Sequence, residues 1–338
     1  MKKLLLLFLL AFLAVPIANA EESVVTLTTT LDEGASIKLY TWADSMDDAF
    51  TIDWGDGVEK IYNKVKPSWT YGSEITGKLG ASKTITIKGD ITYLEIREMQ
   101  ISAATFANTK LKEVDMEKNQ LTDFNLSGLP AVTKLSLNEN SIVTFSSTGN
   151  SVLKNLGLKS NKIDSHQFEI SSLANSLEQL NVSGNGENFV ALNLINFDKL
   201  EYFTANDNPE LTTVVFYDGS TNLKQISMNN CHIMHFYAIS LPNLNTLNLS
   251  NNALLDFENG TYPKLSTLSV NGNYLSEIDV TKFPKLFSFD CSSNQLTDIN
   301  VANNPELNYF NCGNNKLTSV DVSTNKELGS LLVNGNPL

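Results

Sequence analysis

The sequence predicts a β-dominated right-handed solenoid of twelve short turns, preceded by a small all-β sandwich. Three observations carry this. Apolar residues restart a common frame at Ile91, Leu111, Val132, Leu153, Leu177, Leu200, Leu223, Leu244, Leu265, Leu286, Leu307 and Leu328. The spacing is 20 to 24 residues, and 21 in most units, the range of stacked repeat architectures. Residues 22 to about 88 lack the period but alternate as strands do.

Residues 1–20 read as a secretory leader. Lys2 and Lys3 form a positive n-region, Leu4 to Val15 an apolar run, and Ala18-Asn19-Ala20 a small-x-small cleavage site. The run is too short for a membrane span, and no later stretch reaches about 18 uninterrupted apolar residues. The expected mature chain starts at Glu21, has no integral membrane segment, and lies in the periplasm, at the cell surface or outside the cell. No cysteine near the cleavage point offers a lipid anchor.

The N-terminal module spans residues 21–88. Val24 to Leu31, Ser36 to Trp42, Phe50 to Trp54, Val58 to Tyr62 and Lys83 to Lys88 are expected strands. Asp56-Gly57 predicts a tight hairpin turn, since both residues tolerate positive φ. Ile52-Asp53-Trp54-Gly55-Asp56-Gly57 resembles the turn of PKD-type, immunoglobulin-like β-sandwiches, loosely followed by Trp69-Thr70-Tyr71. The three tryptophans, Trp42, Trp54 and Trp69, are assigned to this module's own core, and the module is expected to cap the open edge of the solenoid.

The array occupies residues 89–338. In Leu265-Ser-Thr-Leu268-Ser-Val270-Asn-Gly-Asn273-Tyr-Leu275, Leu268 and Val270 alternate with polar residues, marking a half-buried strand. Such a strand buries its face only by stacking on its neighbours. The ninth position is Asn119, Asn140, Asn161, Asn185, Asn208, Asn252, Asn273, Asn294, Asn315 and Asn336, replaced by Met99 and Cys231 in two units. A side-chain amide has the donors and the acceptor to satisfy turn backbone, so these residues form a structural asparagine ladder. The pattern L-x-x-L-x-L-x-x-N-x-L resembles the leucine-rich repeat family, with a parallel concave sheet. Apolar pairs such as Phe124 and Leu126, Ile278 and Val280, Ile299 and Val301, and Val320 and Val322 predict a second narrow parallel sheet on the convex side. The longer units starting at 153, 177 and 200 predict that the array bulges or loosens around residues 164–220.

Composition narrows the function. Charged residues are 18% of 338 and the net charge is −13, which argues against nucleic-acid partners. Losing the two leader lysines takes the charge to −15. Three cysteines and three histidines leave little material for metal or nucleophilic catalysis. Cys291 and Cys312, at the same inward position in consecutive units, read as a buried thiol pair. Cys231-His232 with His235 lacks a fourth ligand for a metal clip, and His166 is isolated. Asp44, Asp47, Asp48, Asp53 and Asp56 read as a solvated acidic surface, because their spacing is not that of an EF-hand loop. Asp44-Ser45-Met46 resembles a periplasmic O-glycosylation sequon.

The family resemblance implies binding through the concave face. The expected residues are Tyr93, Arg97, Glu113, Asp115, Lys134, Lys159, Tyr202, Gln225, Asn248, Phe287, Asp290 and Tyr309. The face reads as small and polar, with few aromatic anchors. The expectation is therefore a non-enzymatic exported protein without cofactor or metal, binding a protein ligand in cell-surface adhesion or host contact. The alternative is a glycan-binding accessory protein of the cell envelope. Leu332, at a normally polar strand position, suggests a contact there, and the expectation is a monomer or weak association through the C-terminal end.

Overall fold

The computed structural model describes residues 22–44, 49–63, 74–216, 220–236, 240–257 and 260–338. The leader, Asp47, Asp48, Trp69-Thr70-Tyr71 and most of the sequon lie outside these residues.

The strands of the N-terminal region are β1 (Val24–Thr29), β2 (Ser36–Ala43), β3 (Phe50–Asp53), β4 (Glu59–Tyr62), β5 (Glu74–Lys78) and β6 (Thr84–Lys88). They are followed by β7 (Ile91–Glu95) and β8 (Ile101–Ala107). Five of these form a sheet in the order β4-β3-β6-β1-β8. The other three belong to a 14-stranded sheet, where β2 and β5 extend the solenoid beyond β7. Ile37, Leu39, Phe50, Ile52, Trp54, Ile85 and Ile87 fill the space between the two sheets. Trp54 lies against Gly77, where an added Cβ would come 2.1 Å from the indole ring, so only glycine lets the sheets close here.

The β3–β4 hairpin differs from the expected two-residue turn. Asp53 pairs with Glu59, leaving Trp54 to Val58 as a loop in which Gly55 and Gly57, not Asp56, have positive φ. Asp53 sets this geometry: its Oδ1 accepts from the amides of Gly55 at 2.8 Å and Gly57 at 3.0 Å. Asp56 Oδ1 accepts from Val58 N, and Asp44 Oδ1 accepts from Thr92 Oγ1. These carboxylates are engaged in local hydrogen bonds. The sequence missed β5, whose five residues include a glycine and only one fully buried side chain.

Twelve parallel strands, from β7 to Ser330–Leu332, run through the large sheet with unbroken neighbour pairing. Each central residue after β7, from Val114 to Phe310, is buried, while its flanking residues face the concave side. Nine of the ten ladder asparagines make one repeated set of bonds, and Asn208 differs only in that its Oδ1 accepts from Asn185 N. Asn294 Nδ2 donates to Cys291 O in its own unit and Val270 O in the preceding one, and its Oδ1 accepts from Leu275 N. The residue before the ladder position adopts the left-handed region, as at Lys118, Glu139 and Asn314. Cys231 keeps part of the pattern, its thiol donating to Ala205 O at 3.1 Å. Cys291 and Cys312 are free and fully buried.

The expected second sheet is only partly formed. Asp123–Asn125, Thr144–Ser146 and Phe168–Glu169 make one parallel set, and Ala191–Leu194 with Thr213–Phe216 another. Two short 3₁₀ turns, Ser165–Gln167 and Ser171–Leu173, stand where the convex pairing breaks, in the first of the longer units. Ile278, Val280, Ile299 and Val301 are buried but belong to no strand. A second asparagine ladder replaces strand pairing there. Asn325 Nδ2 donates to Val301 O and Asn304 O, and Asn304 Nδ2 to Val280 O and Phe283 O. Side-chain amides bridge these coils, so apolar pairs can fill the interior without a hydrogen-bonded sheet.

Candidate functional site: the concave face

The N-terminal third of the concave face carries a connected network that the sequence reading dispersed. Along β2, Lys38, Tyr40 and Trp42 alternate with buried Ile37, Leu39 and Thr41. Trp42 therefore does not join the sandwich core with Trp54. Its register partner is Tyr93 on β7, and the two rings stack with centroids 3.8 Å apart. Tyr93 Oη donates to Glu95 Oε2 at 2.5 Å. Glu95 lies 3.5 Å from Arg97, whose guanidinium pairs in bidentate fashion with Asp115. Glu117 lies 3.8 Å from the same guanidinium and accepts from Ser136 and Asn138. The chain of contacts thus crosses four neighbouring strands.

Electrostatics follow from this packing. Burial raises Asp115 above the usual carboxylate range, against the pull of Arg97. Burial also pushes Glu117 upward, but hydrogen bonds from Ser136 and Asn138 outweigh it and hold the group below its ordinary value. Burial, then the bond to Glu95, pushes the Tyr93 phenol upward. The Asp115 bond stabilises the Arg97 cation. Such a network holds Arg97 in one orientation, which lowers the ordering cost of using it in recognition.

The other expected residues fall into separate groups. Glu113 and Lys134 face each other across adjacent strands at 3.8 Å. Gly157 leaves a shallow hollow of about 280 Å³, bordered by Lys134, Gln179 and Tyr202. Lys159 lies just past its strand, and its backbone amide donates to Asn138 Oδ1. Tyr202 and Gln225 are register neighbours, both exposed. Asn248 is half-buried, and its Oδ1 accepts from Ser250 N. Asp290 similarly binds Ser292, with Asn311 donating to its second oxygen. Tyr309 is half-buried, and Phe287 stands half exposed at the entry to its strand, outside the strand itself. The structure therefore brings Tyr93, Arg97 and Asp115 into contact, sets Glu113 between Tyr93 and Lys134 on adjacent strands, and leaves Phe287, Asp290 and Tyr309 far along the array.

Among the described residues, no group of three or more His, Cys, Asp or Glu has the geometry to hold a metal ion. His235 Nδ1 lies 3.0 Å from Asp256, and the Cys231 thiol is pushed up to about 11 by burial. No helix among them is long and apolar enough to cross a membrane.

No family model matches the chain, and no curated protein matches it. Solved structures do. The functional domain of InlJ from Listeria monocytogenes, described as including a cysteine ladder, superposes with a TM-score of 0.65 at 22% identity. That match covers 76% of this chain and 57% of the InlJ chain, so the present chain spans little more than half the InlJ chain's length. The Leptospira interrogans LRR protein LIC12759 gives 0.48 at 19% identity, over 67% of each chain. YopM from Yersinia pestis gives 0.45 at 18%, over 72% of this chain and 78% of that one. The twelve-stranded parallel array, the asparagine ladder and the InlJ superposition together establish the fold as a leucine-rich repeat solenoid.

Proposed function

We propose that the protein is an exported, non-enzymatic interaction protein, which binds a protein partner through the N-terminal third of its concave face in adhesion or host contact. The observation that supports this is the Trp42–Tyr93–Glu95–Arg97–Asp115 network. Aromatic and arginine side chains dominate binding energy at protein interfaces, and here Tyr93 and Arg97 lie together on the concave face, backed by the buried Trp42. Export rests on Lys2, Lys3, the Leu4 to Val15 run and Ala18-Asn19-Ala20. The N-terminal region, as a PKD- or immunoglobulin-like sandwich over 21–88, would set the array's first coil and brace this site from behind.

The test is cross-linking of residues 21–338 to bacterial-surface and host-cell extracts, followed by affinity measurement on each purified partner. A partner contacting residues 93–117, whose affinity falls about tenfold or more in Arg97→Ala, supports the reading; tenfold is about 1.4 kcal/mol. A partner that binds Arg97→Ala and Tyr93→Ala as tightly as the parent overturns it.

A further inference from the structure

A second feature of the concave side lies about five strands from the Arg97 network, where Tyr202, Gln225 and Thr246 align on three adjacent strands. Together with the rim residues before those strands they border an open hollow of about 400 Å³. Its lining is unusual for this acidic chain. Tyr202 is 39% exposed, with Lys224 Nζ 5.8 Å from its ring centroid. Lys224 is neutralised by Glu201 at 2.6 Å. Lys264 has a different partner: its Nζ donates to the neutral Asn243 Oδ1 at 2.6 Å, and Asn243 is itself anchored to Thr221 O. Among the described residues no carboxylate pairs with Lys264, so its charge is held over the hollow without compensation.

Among the described residues the Gln225 side-chain amide has no hydrogen-bond partner, and Asn245 uses only its Oδ1, accepting from Thr246 Oγ1. The ensemble is an aromatic face, two side-chain amides and one ammonium that has no carboxylate partner among the described residues. A pyranose ring presents an apolar C–H face to an aromatic ring, and vicinal hydroxyls that pair with amides. A carboxylate on the ring supplies the charge-assisted partner for Lys264. A protein side chain would find no deep apolar pocket here to fill. We propose that this ledge binds a uronic-acid-containing saccharide, with Tyr202 stacking on a sugar ring, Gln225 and Asn245 binding hydroxyls, and Lys264 holding the carboxylate.

The site and ligand class are independent of the protein-binding reading. The experiment is calorimetric and NMR titration of residues 21–338 with trigalacturonic acid, with its methyl ester as the neutral counterpart. Saturable binding is expected, weakening as salt rises. Tyr202→Ala and Lys264→Gln should each reduce affinity about tenfold. Lys285→Gln is the control: it occupies the same rim position one unit on, but is paired with Glu306, and binding should not change. All side chains altered are at the surface, and circular dichroism confirms that each variant keeps the fold. No binding of the acid at millimolar concentration, equal affinity for the ester, or parent-like affinity in both hollow variants overturns the proposal.

Discussion

The Trp42 indole lies flat on the Tyr93 ring, with 3.8 Å between centroids and 5° between planes. One ring belongs to a strand of the N-terminal region and the other to the first parallel strand of the array. The pair therefore fastens two parts of the chain 51 residues apart, and it supports the first link of the Arg97 network. Trp42→Ala should destabilise the protein by about 3 kcal/mol, from lost burial and stacking. Chemical denaturation measures this, and hydrogen exchange should rise first in residues 91–95. Unchanged exchange there would show that the stack does not hold the junction.

Each ladder asparagine satisfies backbone groups that water does not reach. Asn294→Ala leaves Val270 O, Cys291 O and Leu275 N without this partner and should cost about 2–4 kcal/mol, more than one ordinary hydrogen bond. Cys231→Asn should act in the opposite direction, gaining about 1 kcal/mol, because Cys231 keeps the donor role but offers only a weak acceptor. Denaturation midpoints of the two variants decide both. A neutral Asn294→Ala would mean that water replaces the amide.

Asp115 and Glu117 should titrate in opposite senses. Glu117 is held below its unfolded value, so its contribution to stability is present above the ordinary glutamate range and lost as pH falls through the folded value. Asp115 is raised, so its contribution is complete below the ordinary aspartate range and lost as pH rises through the folded value. Carboxyl NMR titration should find Asp115 above an unfolded aspartate and Glu117 below an unfolded glutamate. Coincidence with peptide values would mean that the network does not persist in solution.

The three thiols should be inert in the native state. Burial pushes Cys231 and Cys312 up to about 11 and Cys291 well above the ordinary range. At pH 8 a thiol of that kind is roughly one part in a thousand thiolate, against about a quarter for a free cysteine. A chromogenic disulfide reagent should find no fast-reacting thiol before denaturation and three after it. One equivalent reacting within seconds would place Cys231 in a different environment.

The period, the strand frame and the ladder positions were legible because each repeats, so twelve weak signals reinforce one another. The convex side was less so. Ile278 and Val280 carry the alternation of a strand, but burial alone requires that pattern, and Asn304 and Asn325 supply the bridging that a sheet would otherwise make. Trp42 was misplaced because proximity in sequence suggested a shared core with Trp54. The alternation of Ile37, Leu39 and Thr41 against Lys38, Tyr40 and Trp42 already placed it on the other face. What sequence could not supply was the partner of that face, since β2 joins the array through antiparallel pairing across about fifty residues. The Arg97 network was likewise invisible as a unit, because Trp42 lies 51 residues before Tyr93 and Asp115 lies 18 residues after Arg97 along the chain.

The ladder bonds share a direction. Asn140 reaches back to Met116 O and Leu121 N, Asn161 to Leu137 O and Ile142 N, and Asn315 to Cys291 O and Leu296 N. Each coil that carries a ladder asparagine thus grips its predecessor with its own side chain and waits for its successor to do the same. A ribosome delivers coils in that order, so each arriving asparagine meets a finished acceptor surface. Growth of the array is one-way tiling, each coil laid on the one before it.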